Sequence, residues 1–264
     1  MKTPFPWRGA VAAAALYTAA FLLTCLVHEL GHAVVSKLLG GQPVLHNTFV
    51  DNRTEPLPAG TEVAIALAGP LVSLAQGLLV LAGVWRGRGA GNAALFGLYA
   101  GLFGIINFLG YLLTGPFARY GYIGRAEELL HVPTWLVWGL AIGAGVGLRQ
   151  AVVATAPLFL RFGPGLARPP RGRLMQALVA LPWLLGSGLI TALSWPLPTL
   201  LSLIYPPMSN LMLGAAWGGA MRRPYPEEAV APGFLLAALR LGPALGLLVA
   251  TAAVYRLLAP GVVL

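Results

Sequence analysis

Two histidines and a glutamate stand close together in the run His28-Glu29-Leu30-Gly31-His32. Positions four apart lie on one face of a helix, so His28 and His32 can turn their imidazoles towards a single metal ion. Glu29, on the turn between them, is placed to act as general base on a metal-bound water. A zinc ion set up for hydrolysis takes three protein ligands and keeps one position open. The spacing supplies two ligands and the base, and the third ligand must come from elsewhere. The same side chains also suit a polar cluster satisfied by hydrogen bonds to neighbouring helices.

The surrounding chain says where such a cluster sits. It has 264 residues, of which 58% are hydrophobic, with 17 Lys or Arg against 8 Asp or Glu, and its mean hydropathy is +0.78. A soluble domain is nearer a quarter charged and under half apolar. The composition excludes a disordered chain, a nucleic-acid-binding basic protein and a disulfide-stapled domain, and points to an integral membrane protein. The net charge of +9 gathers in short stretches between apolar runs, as at Arg161, Arg168, Arg171 and Arg173, where juxtamembrane charges belong. One cysteine, Cys25, lies inside an apolar run and reads as a small buried hydrophobe. Ionisable side chains inside a span are expensive, which gives the His28–His32 cluster added weight as a functional site.

About 20 apolar residues cross the hydrocarbon as a helix. The candidate spans are roughly 10–38, 62–84, 93–116, 134–160, 174–195 and 234–258. A seventh, roughly 197–219, is interrupted by Pro206 and Pro207 and reads as a broken or re-entrant segment. The expected fold is therefore an all-α polytopic membrane protein of six or seven transmembrane helices. The first run exceeds a signal-peptide core and carries the histidines near its far end, so it reads as a retained span. Between the first two spans, Val44 to Val50 suggests a short strand or hairpin arm. Gly97/Gly101 and Gly139/Gly143/Gly147 have the spacing of close helix approach. Residues 1–130 hold nearly all the polar peculiarities, and residues 131–264 read as additional packing helices. Alternating the spans places most of the Lys and Arg on the N-terminal side, hence that side in the cytoplasm and the histidines towards the opposite face. A bacterial inner membrane suits a multi-pass chain without a cleavable leader.

His-Glu-Leu-Gly-His-Ala in a first span, followed by Gly40-Gly41, resembles the site-2 protease family of intramembrane zinc metalloproteases. Ala68-Gly69-Pro70-Leu71 near the start of the next span is similar to that family's Gly-Pro-Leu motif. The resemblance covers about residues 10–130, a three-span core. It implies zinc held by His28 and His32, Glu29 as general base, and a membrane-associated β-hairpin at residues 42–54 beside the site. It also implies Gly69, Pro70 and Asn107 near bound substrate, and a membrane-spanning protein or peptide as that substrate.

The family's third motif is Asn-x-x-Pro followed by Asp-Gly, whose aspartate is the third zinc ligand. Here Asn107-Phe108-Leu109-Gly110 stands in its place, and Asp51, far upstream, is the only aspartate. One alignment sets Thr114-Gly115 at the Asp-Gly. Another uses Gly124-Arg125 and puts Tyr122 in the aspartate's place. Substitute ligands nearby are Glu127, Glu128 and His131, with Glu127 the expected third ligand. Glu127 and Glu128 also suit the first turn of a helix, favoured by its dipole. Asp51 serves only if the 42–54 loop folds back over His28. Asn107 can bind substrate or stabilise an oxyanion, or equally make an interhelical hydrogen bond. The expectation is a zinc metalloprotease acting on membrane-spanning substrates, the alternative a catalytically inactive relative that binds or regulates.

Overall fold

With no water in the hydrocarbon to satisfy it, an apolar chain must close its own backbone hydrogen bonds, and here it does so as helices. The computed structural model describes residues 5–54, 56–87, 91–119, 121–163, 170–197, 200–224, 236 and 239–264. Helices α1 (Trp7–Leu38), α2 (Ala59–Trp85) and α3 (Asn92–Thr114) are followed by the short α4 (Tyr122–Leu129). Helix α5 (Thr134–Ala154) continues past Thr155 into α6 (Ala156–Leu160). Helix α7 (Arg171–Met175), a π-helical turn at Gln176–Ala180 and α8 (Leu181–Leu193) form one continuous run. Then come α9 (Leu200–Leu211), α10 (Gly214–Met221) and α11 (Leu241–Leu257).

Five of these runs are long and apolar enough to cross a membrane: Trp7–Leu38, Ala59–Trp85, Asn92–Thr114, Thr134–Leu160 and Arg171–Leu193. Leu241–Leu257 is a shorter apolar helix. The chain is an all-α polytopic membrane protein. The interrupted 197–219 region is two short helices, α9 containing Pro206 and Pro207, with a turn at Met212 and Leu213 before α10. Arg168 lies outside the described residues, as do parts of the 161–173 and 234–258 segments.

Helix α1 is the axis of the bundle. Its most apolar window is 72% buried, against 33% for α2 and 22% for Thr134–Leu160. Alanines at positions 10, 12, 13, 15, 19 and 20 are all buried and let α2, α3, α8 and α11 pack against it. The helices after residue 131 therefore share a core with the first three. Glycine brings α2 and α3 into backbone contact: a Cβ on Gly104 would lie 2.4 Å from the Ser73 carbonyl oxygen, and one on Gly77 2.8 Å from that of Gly101. Gly97 and Gly101 face Val84 and Leu81 of α2 at this seam. Gly139, Gly143 and Gly147 differ from expectation, since each faces open space.

The hairpin after α1 forms, with a third strand unsuspected from the sequence. Strand β1 (Pro43–Leu45) pairs antiparallel with β2 (Val50–Asn52) on one edge and with β3 (Val262–Val263) on the other. Pro43 has no N–H to give to β3. It still accepts from Leu264 N at 3.1 Å, while the Leu264 carbonyl takes its hydrogen bond from Lys37 Nζ at 2.8 Å. Gly261, at φ +90°, turns the chain against His46; a Cβ there would lie 2.5 Å from His46 Cε1. His46 stacks on Phe49 with ring centroids 4.2 Å apart and its Nδ1 donates to the Ala259 carbonyl at 3.2 Å.

Candidate metal centre

His28, Glu29 and His32 lie on the last third of α1, at 1%, 4% and 0% exposure. The i, i+4 spacing brings the two imidazoles together, Nε2 to Nε2 at 3.0 Å. Their remaining nitrogens are held by α2. His32 Nδ1 is 2.6 Å from the Ile65 carbonyl oxygen. A carbonyl only accepts, so this nitrogen carries the proton and the neutral ring turns a bare lone pair towards His28. His28 Nδ1 is 3.1 Å from Ser73 Oγ, a hydroxyl able to donate or accept. His28 can thus place its own proton on either nitrogen. On Nε2 the proton bridges the two rings; on Nδ1 both Nε2 lone pairs face one space.

Helix α2 is built to approach this closely. A Cβ on Gly69 would lie 2.3 Å from His32 Nε2 and 2.8 Å from the His28 carbonyl oxygen. A Cβ on Gly31 would lie 3.1 Å from Gly69 Cα. No other residue type fits at Gly69. Pro70, inside α2, cannot return an N–H to the carbonyl four residues back and crowds that turn.

Aromatic rings close the other sides. Tyr111 of α3 stacks on His28 at 5.3 Å and 5°. Tyr122 lies over His32 with centroids 3.7 Å apart and 29° between planes, and its hydroxyl donates to Glu29 Oε2 at 3.0 Å. Burial, then the Glu29 carboxylate beside it, pushes the Tyr122 phenol well above its ordinary range. Tyr122 gets there because the chain doubles back after α3. A Cβ on Gly124 would lie 2.5 Å from the Ala118 carbonyl oxygen, so only glycine permits that fold. Arg125 then ties α4 to Glu62 of α2 at 3.0 Å and, within α4, bonds Glu128 at 3.1 Å.

Of the other sequence candidates, Asn107 lies beside His28; the rest are dispersed. Asn107 donates to the Tyr205 hydroxyl at 3.3 Å, and with Asn210, Thr24 and Cys25 it lines a cavity of about 10 Å³. Its carbonyl oxygen is buried without a hydrogen bond. Gly69 and Pro70 serve the approach of α2 to α1. Glu127 lines a separate cavity of about 90 Å³ with Gly115, Arg119 and Trp138, where burial raises its carboxyl pKa and Arg119 opposes the rise. Glu128 is engaged with Arg125, and His131 ends the α4 turn at φ 52°. Asp51 is exposed on β2. Thr114 is exposed, with its hydroxyl bonded back to Gly110. Tyr122 alone of the two aligned positions reaches the cluster. Ser73, Ile65 and Tyr111 carried no sequence signal as partners, except that Ser73 sits one turn beyond Gly69.

The donor set fits a zinc ion in part. Tetrahedral ligands at zinc–nitrogen distances of 2.0–2.1 Å stand ~3.3 Å apart, close to the imidazole separation. The Ile65 and Ser73 contacts are the outer partners that metal-binding histidines use to fix their tautomers. Among the described residues, no three His, Cys, Asp or Glu stand together so that they could hold a metal ion. The residues thus define a buried His–Glu–His site inside a polytopic helical membrane protein. No protein family, curated protein or solved structure matches the chain.

Proposed function

We infer that the protein is an intramembrane zinc metalloprotease of the site-2 protease type, acting on membrane-spanning protein or peptide substrates. The observation that carries this reading is the convergence of His28 and His32 Nε2 at 3.0 Å on the helical turn that bears Glu29. The two imidazoles would hold the zinc, with their other nitrogens anchored on Ile65 and Ser73. Bound there, zinc would supply Lewis-acid polarisation and a more acidic water. Glu29 accepts a proton from the attacking water and returns it to the leaving amine. Leu30 and Val34 of α1 are exposed on the bundle surface, an apolar flank against which a substrate helix can rest. A helical substrate has its carbonyls already hydrogen-bonded and must unwind to present one; the strands beside α1 can hold such a stretch extended.

The protein reconstituted in liposomes with a labelled single-span substrate tests this. Expected are stoichiometric zinc by mass spectrometry and cleavage that disappears in Glu29→Gln. Protein without zinc, or unchanged cleavage by Glu29→Gln, would falsify it.

A second reading, a non-catalytic relative that binds or regulates membrane proteins, is favoured by one observation. Among the described residues no third His, Cys, Asp or Glu joins the pair. It predicts that substrate co-purifies with wild type and Glu29→Gln alike and that neither cleaves it.

A further inference from the structure

We propose that Tyr122 is a positioning residue of this site, its hydroxyl orienting the Glu29 carboxylate and its ring seating the His32 imidazole. The inference rests on the zinc reading for its chemistry, but the contacts are independent of any ion. Glu29 is 4% exposed, and a buried carboxylate needs hydrogen-bond donors. Among the described residues, the one side-chain donor to it is Tyr122, at 3.0 Å. The same residue covers His32 at 3.7 Å between centroids and lies 5.6 Å from the His28 ring. One side chain thus touches all three members of the cluster.

The way α4 is built supports this assignment. Helix α4 is short, and its first residue is Tyr122. Two features hold that residue in place: the tight turn that only Gly124 allows, and the Arg125 ion pair to Glu62 at the start of α2. Gly124 faces the Ala118 carbonyl and Arg125 faces Glu62, so neither engages the Tyr122 hydroxyl. The general base lies on α1, the outer partners of the histidines on α2, and the group that aims the base on α4. A tyrosine donates one proton and offers a flat face, and the site uses both.

The hydroxyl and the ring can be separated by substitution. Tyr122→Phe keeps the ring and removes the donor; Tyr122→Leu removes both. In detergent-solubilised protein, the infrared difference between wild type and Glu29→Gln isolates the Glu29 carboxyl band. That band should shift in Tyr122→Phe. Cobalt(II), titrated as a visible-spectrum probe, should bind Tyr122→Phe as it binds wild type and bind Tyr122→Leu roughly tenfold more weakly, the usual scale for loss of a supporting contact. Melting temperatures of both variants identify any loss that is merely unfolding, and Tyr122→Phe, of the same shape, remains the deciding variant if Tyr122→Leu fails to fold. An unmoved carboxyl band in Tyr122→Phe overturns the proposal, as does equal cobalt affinity in folded Tyr122→Leu and wild type. Wild-type protein that takes up no cobalt overturns the zinc reading instead, and the infrared band then decides the role of Tyr122 by itself.

Discussion

The Nε2 atoms of His28 and His32 face each other at 3.0 Å, while the Ile65 carbonyl keeps the His32 proton on the far side of its ring. Only a proton or a cation makes that approach favourable, because two bare lone pairs repel. Without metal the bridging proton comes from His28, and Ser73 then donates to His28 Nδ1. A bound metal would require the proton on Nδ1, with Ser73 accepting.

Ser73→Ala should therefore weaken metal binding by about tenfold while leaving the fold intact. Cobalt(II) titration checks the first part and circular dichroism the second. Equal affinity in the variant would show that the hydroxyl does not anchor His28.

Gly69→Ala should do more damage than its single methyl suggests. The new carbon would stand 2.3 Å from His32 Nε2, so the ring must swing away or α2 must withdraw. Loss of metal binding and destabilisation on the order of 1–3 kcal/mol are expected, the range for overpacking a tight interior. Thermal unfolding in detergent and the cobalt spectrum measure the two effects separately.

Glu127 gives a pH-dependent expectation. Burial raises its carboxyl pKa, so the folded protein holds that proton more tightly than the unfolded chain does. Stability is then lost as pH rises above the unfolded value of about 4.3 and is untouched below it. Glu127→Gln should stabilise the protein at neutral pH by under ~1 kcal/mol, the group being only partly buried. The difference should vanish near pH 4. A variant that is less stable at pH 7 would mean the carboxylate has a partner that matters more than its desolvation.

Gly261→Ala should release β3 from the hairpin. The residue needs φ +90°, and a Cβ would strike His46. Amide exchange at Leu45, whose register partner is Val262, should speed up, while Val44, paired across to Asp51, stays protected. Uniform protection at both amides would count against a role for Gly261 in docking the strand.

Much of this architecture was legible in the sequence because membrane helices announce themselves by length and apolarity. The run around Trp7–Leu38 and the His28/His32 spacing needed nothing more. The third strand was not legible: Val262 and Val263 look like any apolar tail, and their partner lies more than two hundred positions away. Nor could spacing show that Gly139, Gly143 and Gly147 face outwards, since the four-residue pattern says which residues share a face and not what that face meets. Glu127 was nominated by proximity in sequence to Tyr122, yet the helical turn carries it to a different cavity. Tyr122 itself was marked only by alignment; its contact with Glu29 depends on a reversal of the chain set by Gly124.

The crossing of α1 and α2 at Gly31 and Gly69 places backbone directly against backbone, and the two anchors of the histidines lie symmetrically about it. Ile65 is four residues before Gly69 and Ser73 four after, each ~6 Å along the helix axis. The crossing is therefore a fulcrum, and α2 a balance beam across it. Any rocking of α2 that tightens the Ser73 contact slackens the Ile65 contact, and the reverse.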